Sequence, residues 1–133
     1  MRTTAALLSA GILILLCQHV HAGSTTPAKQ METFIRLSGV QPSPKSGEDF
    51  FTTTHGREWS CSSCHTQDPT ALGKHFKTGK VIQPMAPAAN PDRFTDAAKT
   101  EKWFRRNCRD VISRECTPEE KSDVLSWLLS LNK

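Results

Sequence analysis

Apolar residues near the C-terminal end of the chain recur three and four positions apart, the spacing of one helical face. They are Val124, Leu125, Leu128, Leu129 and Leu131, with Trp127 beside them. The segment Thr117–Glu120, of sequence TPEE, precedes them and forms a capping box with proline at the first helical position. This region therefore predicts a helix with a well-defined start.

Three further helices are predicted upstream. Thr26-Pro27 can begin a helix that ends at Ser38-Gly39, because proline is favoured at the first helical position and glycine just past the last. Its apolar face consists of Met31, Phe34, Ile35 and Leu37. Ser43-Pro44 repeats the start signal for a helix that carries Phe50 and Phe51 and ends near residues 52–54. Thr95 or Asp96 opens a third helix, which runs past Val111.

Residues 66–93 contain many prolines, glycines and small side chains, which predicts a long ordered loop. Loops of this length in compact domains usually serve a function or cover a cofactor. No segment alternates apolar and polar residues as a half-buried strand does. The pattern therefore predicts an all-α fold.

The first 22 residues have the features of a secretory signal peptide. Arg2 precedes an apolar run from Ala5 to Leu16, and Val20–Ala22 ends in a small residue before Gly23. The run is too short to cross a bilayer comfortably, although a retained anchor is the alternative. We expect a signal peptide at residues 1–22, a single domain at 23–133, and export to the periplasm. The membrane would then be contacted only before cleavage.

The charge balance adds little to this interpretation. The chain has 17 Lys and Arg against 13 Asp and Glu, a net charge of +4. Loss of Arg2 leaves 16 against 13, and an acidic cofactor would neutralise most of the remainder. We therefore expect no nucleic-acid partner.

The cysteines carry the strongest chemical signal. Cys17 would leave with the signal peptide, and Cys61, Cys64 and His65 form CxxCH, the attachment motif for a c-type heme. A redox pair does not need the adjacent histidine, and a zinc site would need a second close pair of ligands. We predict one covalent heme c with His65 as the proximal iron ligand. Cys108 and Cys116 then remain as a disulfide, as expected in an oxidising compartment.

The sixth iron ligand stays open on chemistry alone. Met85 would give a low-spin electron carrier of raised potential, and His75 a low-spin bis-histidine heme. His55 fits better as a surface loop residue. Polar candidates beyond the loop include Asn90 and Asn107, the second of which could instead end a helix.

Several residues are candidates to surround the heme. Lysines and arginines that could pair with its propionates are Lys77, Lys80, Arg93, Arg105 and Arg106. Lys80 and Arg93 are favoured, because their turns should fold over the cofactor. Trp103 and Phe104 are expected to form a wall of the pocket, although one of them could be simple core.

Longer motifs point to a particular family. They are KTGKVIQPMAPAANPDRFTD, EKWFRRNC and the later REC-T-PEEK, within a stretch from about Gly47 to Leu131. This combination resembles the oxygen-binding, high-spin class I c-type cytochromes typified by sphaeroides heme protein. The resemblance implies a class I cytochrome c fold, with helices wrapped around one heme c.

The same resemblance implies specific roles for residues. In that family the asparagine before the first disulfide cysteine ligates ferric heme, which here is Asn107, and the disulfide corresponds to Cys108–Cys116. Met85 need not be methionine in such proteins, whereas His75 departs from the expected pattern. The implied function is electron transfer combined with binding of O₂, CO or NO to reduced heme, with a diheme c-type cytochrome as redox partner.

Two other functions are also compatible with the sequence. One is an ordinary low-spin electron carrier with Met85 or His75 on the iron. The other is a gas sensor or scavenger without an electron-transfer partner. An electron carrier or ligand-binding protein is favoured over an enzyme, and catalytic reduction of O₂ or removal of NO is left open. Because an asparagine amide cannot act as a general acid or base, such chemistry would belong mainly to the iron.

Overall fold

A computed structural model of the protein describes residues 25–132, so the predicted signal peptide lies outside the described residues. Five helices and two short strands follow one another: α1 (Pro27–Ser38), α2 (Pro44–Thr52), α3 (Ser62–His65), β1 (Gly73–Lys74), β2 (Val81–Ile82), α4 (Ala97–Ile112) and α5 (Pro118–Ser130). Within residues 25–132, no helix has the length and apolar character needed to cross a membrane.

The helices begin where short polar side chains satisfy their free N–H groups. Thr26, Ser43 and Asp96 cap α1, α2 and α4, each accepting from the backbone N–H three residues on. Thr117 and Glu120 form the complete capping box of α5. Gly39 ends α1 in the left-handed conformation, with φ of 71°. The predicted boundaries of these helices are thus confirmed.

Helix α5 lies at the centre of the fold, packed against both α1 and α2. The buried cluster at its contact with α2 consists of Phe51, Val124, Trp127 and Leu128. Gly47 of α2 lies directly against the backbone of Asp123, so a Cβ atom at position 47 would overlap the Asp123 carbonyl oxygen. The two helices cross so closely that only glycine fits there.

Helix α4 is tied to this core at several points. Phe104 packs edge-on against Phe34 of α1, with ring centroids 6.0 Å apart. Lys121 of α5 donates to the Glu101 carboxylate at 2.7 Å. Cys108 in the last part of α4 forms a disulfide with Cys116, which lies just before α5, and their Cα atoms are 5.7 Å apart.

The loop at residues 66–93 differs from its prediction. It contains an antiparallel hairpin in which Gly73 pairs with Ile82 and Lys74 with Val81. Two-residue strands are too short to show an alternating pattern, so they cannot be recognised from the sequence.

Two apolar stripes also differ from expectation. Leu37 of α1 was expected on the apolar face but is 67% exposed. The polar residue Gln30 is buried on α1 instead, and its side chain donates to the Phe94 carbonyl and to Thr100 Oγ1. In α5, Leu129 belongs to the predicted apolar face but is exposed to solvent. Trp127 was expected beside that face but is buried in the core. Helical periodicity identified the faces but not their edges.

Candidate heme site

The CxxCH motif forms one tight helical turn. Cys61 occupies the N-cap position of α3 without a side-chain capping hydrogen bond, and the His65 N–H donates to the Cys61 carbonyl at 3.0 Å. Neither Cys61 nor Cys64 belongs to a disulfide, and Cys61 packs against the core cluster of α2 and α5. One turn of chain thus presents two thiols and an imidazole beside the apolar core, as covalent heme attachment requires.

The side chains of three serines in and next to this turn form a group of hydrogen bonds. Ser60 Oγ lies 2.7 Å from Ser62 Oγ, and the Ser60 N–H donates to Ser63 Oγ at 3.0 Å. Gln67 also donates to Ser62 Oγ. These serines could not be recognised from the sequence, because isolated serines beside a motif are common. The clustering of serines at 60, 62 and 63 was the only available signal.

The hairpin supports the motif from another side. A Cβ atom at Gly73 would overlap the Cys64 carbonyl oxygen, so β1 approaches α3 as closely as two backbones allow. The N–H groups of Met85 and Ala86 both donate to the Pro69 carbonyl, which closes the loop onto its own start. The predicted covering loop is therefore anchored at the attachment motif.

His65 has the properties of an iron ligand. Burial, with the nearby charge of Arg93, lowers its pKa from 6.5 to about 4, so the imidazole is neutral and a ring nitrogen can offer its lone pair. Its Nδ1 atom is buried and has no hydrogen-bond partner among residues 25–132. Its ring lies 6.1 Å from that of Phe51. A neutral imidazole whose buried Nδ1 atom has no hydrogen-bond partner thus lies beside two cysteines. This set of residues is suited to hold heme c.

The zinc alternative is not supported. In the part of the chain that the structure describes, no group of three or more His, Cys, Asp or Glu side chains is placed to hold a metal ion. Four such ligands are the rule for a structural zinc site.

The distal candidates have different surroundings. His55 is exposed, and its Nε2–H donates to the Phe50 carbonyl at 2.7 Å, as expected of a surface loop residue. His75 lies at the hairpin turn, where its Nδ1 accepts from the Thr78 N–H at 3.3 Å. Met85 is half-buried and packs against the core cluster. Asn90 donates to the Pro84 carbonyl.

Asn107 lies within α4, five residues before its end, so it is not a helix C-terminal residue. It is half-buried and shares the inward side of the helix with Phe104, Cys108 and Val111. No hydrogen bond among the described residues involves its side chain. The adjacent Cys108 belongs to the disulfide, which ties this part of α4 to the start of α5. The carboxamide is therefore not engaged by another side chain or backbone group in the described part of the chain.

The proposed propionate partners differ in their surroundings. Arg93 is half-buried and donates to the Pro84 carbonyl at 2.8 Å and to the Gln83 carbonyl. Burial lowers its pKa, and no carboxylate pairs with it within residues 25–132. Lys80 is exposed, as are Lys77, Arg105 and Arg106. Among these five cations, only Arg93 is half-buried, and it lacks a carboxylate partner in the described residues.

The two aromatic wall candidates occupy different environments. Phe104 belongs to the interior and also stacks on Phe94 at 6.3 Å between centroids. Trp103 is 42% exposed, and the Arg106 guanidinium lies 5.5 Å from its ring centre. Phe104 packs against the core cluster, and both residues stay predictions for the pocket wall.

Comparisons with known proteins agree with this site. The family described as a domain of unknown function (DUF1924) matches residues 38–128. The chain is 46% identical over 111 residues to cytochrome c-type protein SHP of Cereibacter sphaeroides, covering 80% of this chain and 85% of that protein. It is 42% identical over 130 residues to cytochrome c'' of Methylophilus methylotrophus, covering 90% of each.

Two solved structures are similar to the fold. The structure of oxidized SHP, an oxygen-binding cytochrome c, superposes with a TM-score of 0.77 at 43% identity, covering 82% of this chain and all of that one. Oxidized cytochrome c'' of Methylophilus methylotrophus gives a TM-score of 0.70 at 37% identity, covering 80% and 95%. The resemblance inferred from the motifs, the all-α cytochrome c fold and the single covalent heme c are therefore confirmed.

Proposed function

The chain belongs to the DUF1924 family and is a monoheme c-type cytochrome related to SHP, and from that premise we propose an exported protein with two linked activities. It transfers electrons, and in its reduced state it binds a small diatomic molecule such as O₂, CO or NO. Asn107 would hold the iron in the oxidised protein, and its departure on reduction would make room for the diatomic.

The observation that carries the proposal is the surroundings of Asn107. Its carboxamide lies on the inward side of α4 without a hydrogen-bond partner in residues 25–132, although it is half-buried. An amide that no other protein group engages keeps the lone pairs of its oxygen available. Asn107 could therefore bind a metal without losing a hydrogen bond within the described chain.

When bound, heme c supplies one-electron redox chemistry and an iron with an exchangeable sixth position. His65 provides the neutral imidazole for one face, and Cys61 and Cys64 provide the thiols for covalent attachment. Asn107 offers a hard, neutral oxygen, which ferric iron accepts and the softer ferrous iron holds weakly. Gain of an electron should therefore release Asn107.

The disulfide restricts movement of the backbone that carries Asn107. Cys108 follows Asn107 directly, and its bond to Cys116 fixes the backbone that carries the amide. The side chain can then rotate away and return without movement of the helix. Arg93, a half-buried cation without a carboxylate partner, is the residue best suited to pair with a propionate.

The relatives support a distal ligand that exchanges. SHP is described as an oxygen-binding cytochrome c. A solution structure of Methylophilus methylotrophus cytochrome c'' addresses haem-ligand detachment. Both descriptions fit a heme whose sixth ligand leaves, and neither is typical of a permanently six-coordinate carrier.

Electron transfer and export complete the proposal. The apolar run from Ala5 to Leu16 supports a signal peptide and hence the periplasm, where heme c and disulfides form. A diheme c-type cytochrome is the proposed redox partner, as the family resemblance implies. A gas sensor or scavenger that acts alone would not exchange electrons with a diheme cytochrome, so this partner distinguishes the two functions.

The optical spectrum of the reduced protein tests the function. After anaerobic reduction with dithionite, we expect a high-spin spectrum that changes at once when CO is added. A low-spin spectrum indifferent to CO would instead favour a carrier with Met85 or His75 on the iron. Met85→Ala and His75→Ala should leave the CO response unchanged.

A further inference from the structure

The hairpin segment between residues 72 and 81 exposes an unusual number of apolar side chains. Leu72 is 59% exposed, Phe76 53% and Val81 65%. Three of the seven exposed large apolar residues of the described chain thus lie within ten residues of one another in sequence. We call residues 72–81 the hairpin surface.

The same surface carries an unbalanced positive charge. Lys74, Lys77 and Lys80 are exposed, and the segment contains no acidic residue. None of the ion pairs found in residues 25–132 involves these lysines. Asp68, the nearest acidic residue before the segment, accepts hydrogen bonds from Thr70 instead. The three charges are therefore available to a partner.

The hairpin surface lies beside the heme-attachment turn. Gly73 contacts the Cys64 backbone so closely that a side chain would not fit. Phe76 packs at a tilted angle against Trp59, two residues before Cys61, with ring centroids 3.5 Å apart. A protein seated on the hairpin would therefore approach the segment to which the heme is bonded.

We infer that the hairpin surface is the docking site for an electron-transfer protein whose contact face has an apolar centre and surrounding carboxylates. The inference rests on the electron-transfer activity proposed above. Leu72, Phe76 and Val81 supply the apolar contact, while the lysines steer a negatively charged partner and orient it. The partner's carboxylates supply the negative charges that the segment lacks.

Matched variants separate this surface from the rest of the molecule. Lys74→Glu is compared with Lys29→Glu on α1, since both lysines are exposed and lack an ion pair in the described chain. Leu72→Ser is compared with Leu37→Ser, since both leucines are more than half exposed. The measured quantity is the second-order rate constant for reduction by a reduced diheme c-type cytochrome, at several salt concentrations.

At low salt we expect Lys74→Glu to slow reduction roughly three- to tenfold and to weaken its dependence on salt. Leu72→Ser should slow reduction severalfold without changing the salt dependence, because it removes no charge. Lys29→Glu and Leu37→Ser should stay within about twofold of the wild type. The ferric spectrum and the CO response should remain those of the wild type in all four variants.

Equal effects of the hairpin and α1 variants would overturn the docking site but leave the proposed function intact. A wild-type protein that the diheme cytochrome does not reduce would overturn both the site and the proposed electron-transfer partner. Binding to phosphatidylglycerol vesicles that is lost in Lys74→Glu, with unchanged reduction rates, would assign the surface to a membrane. A dimer lost in Leu72→Ser, again with unchanged rates, would assign it to a second copy of this chain.

Discussion

Gly73 shows how a single residue can position the heme motif. It lies in β1, and its missing side chain lets the strand pass directly over the Cys64 carbonyl. The next residues form the hairpin turn, in which the Gly79 N–H donates to the His75 carbonyl at 2.8 Å. The position of the second attachment cysteine thus depends on a residue nine positions away.

Gly73→Ala should therefore disturb heme attachment. The added methyl group cannot be accommodated without displacing backbone, which typically costs about 1–3 kcal/mol. We expect a lower unfolding temperature and a smaller fraction of chains with covalent heme, measured by absorbance after denaturation. Leu72→Ala is the control, since that side chain is exposed, and it should match the wild type. Wild-type behaviour of Gly73→Ala would contradict the close contact.

The residues of the site could be predicted to different degrees. Cys61, Cys64 and His65 follow from local spacing alone, because one helical turn must deliver all three groups. Neither Gly73 nor the serines behind the motif could be recognised, since their importance depends on what packs against them. Asn107 was identified from a family pattern, and its half-buried position in the middle of α4 could not be deduced from its neighbours in sequence.

At the scale of elements, the start of α5 combines two stabilising features. Thr117 and Glu120 form the capping box, and Arg114 makes a two-pronged contact with the same Glu120 carboxylate at 2.8 and 2.6 Å. The Glu120 N–H donates to Thr117 Oγ1, while the carboxylate accepts from the Thr117 N–H. One carboxylate therefore joins the turn after α4 to the beginning of α5.

This carboxylate gives the fold a dependence on pH. Burial alone would raise the pKa of Glu120, but the hydrogen bonds from Arg114 and Thr117 outweigh it and hold the pKa below its ordinary value of 4.5. A carboxyl whose pKa is depressed by folding stabilises the folded state above its unfolded pKa. That contribution is lost as the pH falls below about 4.5 and passes through the folded pKa.

Glu120→Gln should remove this part of the acid sensitivity. We expect the variant to be less stable than the wild type at pH 7, with a difference that shrinks as the pH falls below about 4.5. Urea unfolding at a series of pH values measures it. Asp49→Asn is the control, because the Lys45–Asp49 pair of α2 is largely exposed to solvent and should contribute little. A constant difference at all pH values would contradict the assignment.

The helices were the easiest elements to predict, for a physical reason. Their boundaries are set by local capping groups such as Ser43 and Asp96, which act within three residues. The hairpin was missed because its strands form through contacts with α3 and with each other. Gln30 on the buried face of α1 was missed because its partners, Phe94 and Thr100, lie more than sixty residues away.

The whole molecule has a small core centred on α5. The disulfide adds a covalent connection between α4 and α5, at a sequence separation of eight. In the chain-entropy view, closing such a ring constrains the unfolded chain by roughly 2.5 kcal/mol. The overall all-α architecture could be anticipated, because four of the five helices have clear local signals and the fifth belongs to the attachment motif.

Loss of the disulfide should lower global stability and loosen the distal side. Replacing Cys108 and Cys116 together by Ser should reduce the free energy of unfolding by roughly 2.5 kcal/mol. Because Asn107 precedes Cys108, we also expect the ferric spectrum to become heterogeneous. Denaturant unfolding and absorbance spectroscopy measure the two effects. Unaltered stability and spectrum would contradict a role of the disulfide in holding Asn107.

The central claim is that the Asn107 oxygen binds oxidised iron and leaves when the iron is reduced. The most direct test compares the ferric and ferrous absorbance spectra of the wild type with those of Asn107→Ala, using Asn90→Ala as the matched control. We predict that Asn107→Ala changes the ferric spectrum, keeps its heme covalently attached and leaves the ferrous spectrum close to that of the wild type. A ferric spectrum of Asn107→Ala identical to that of the wild type would contradict the account.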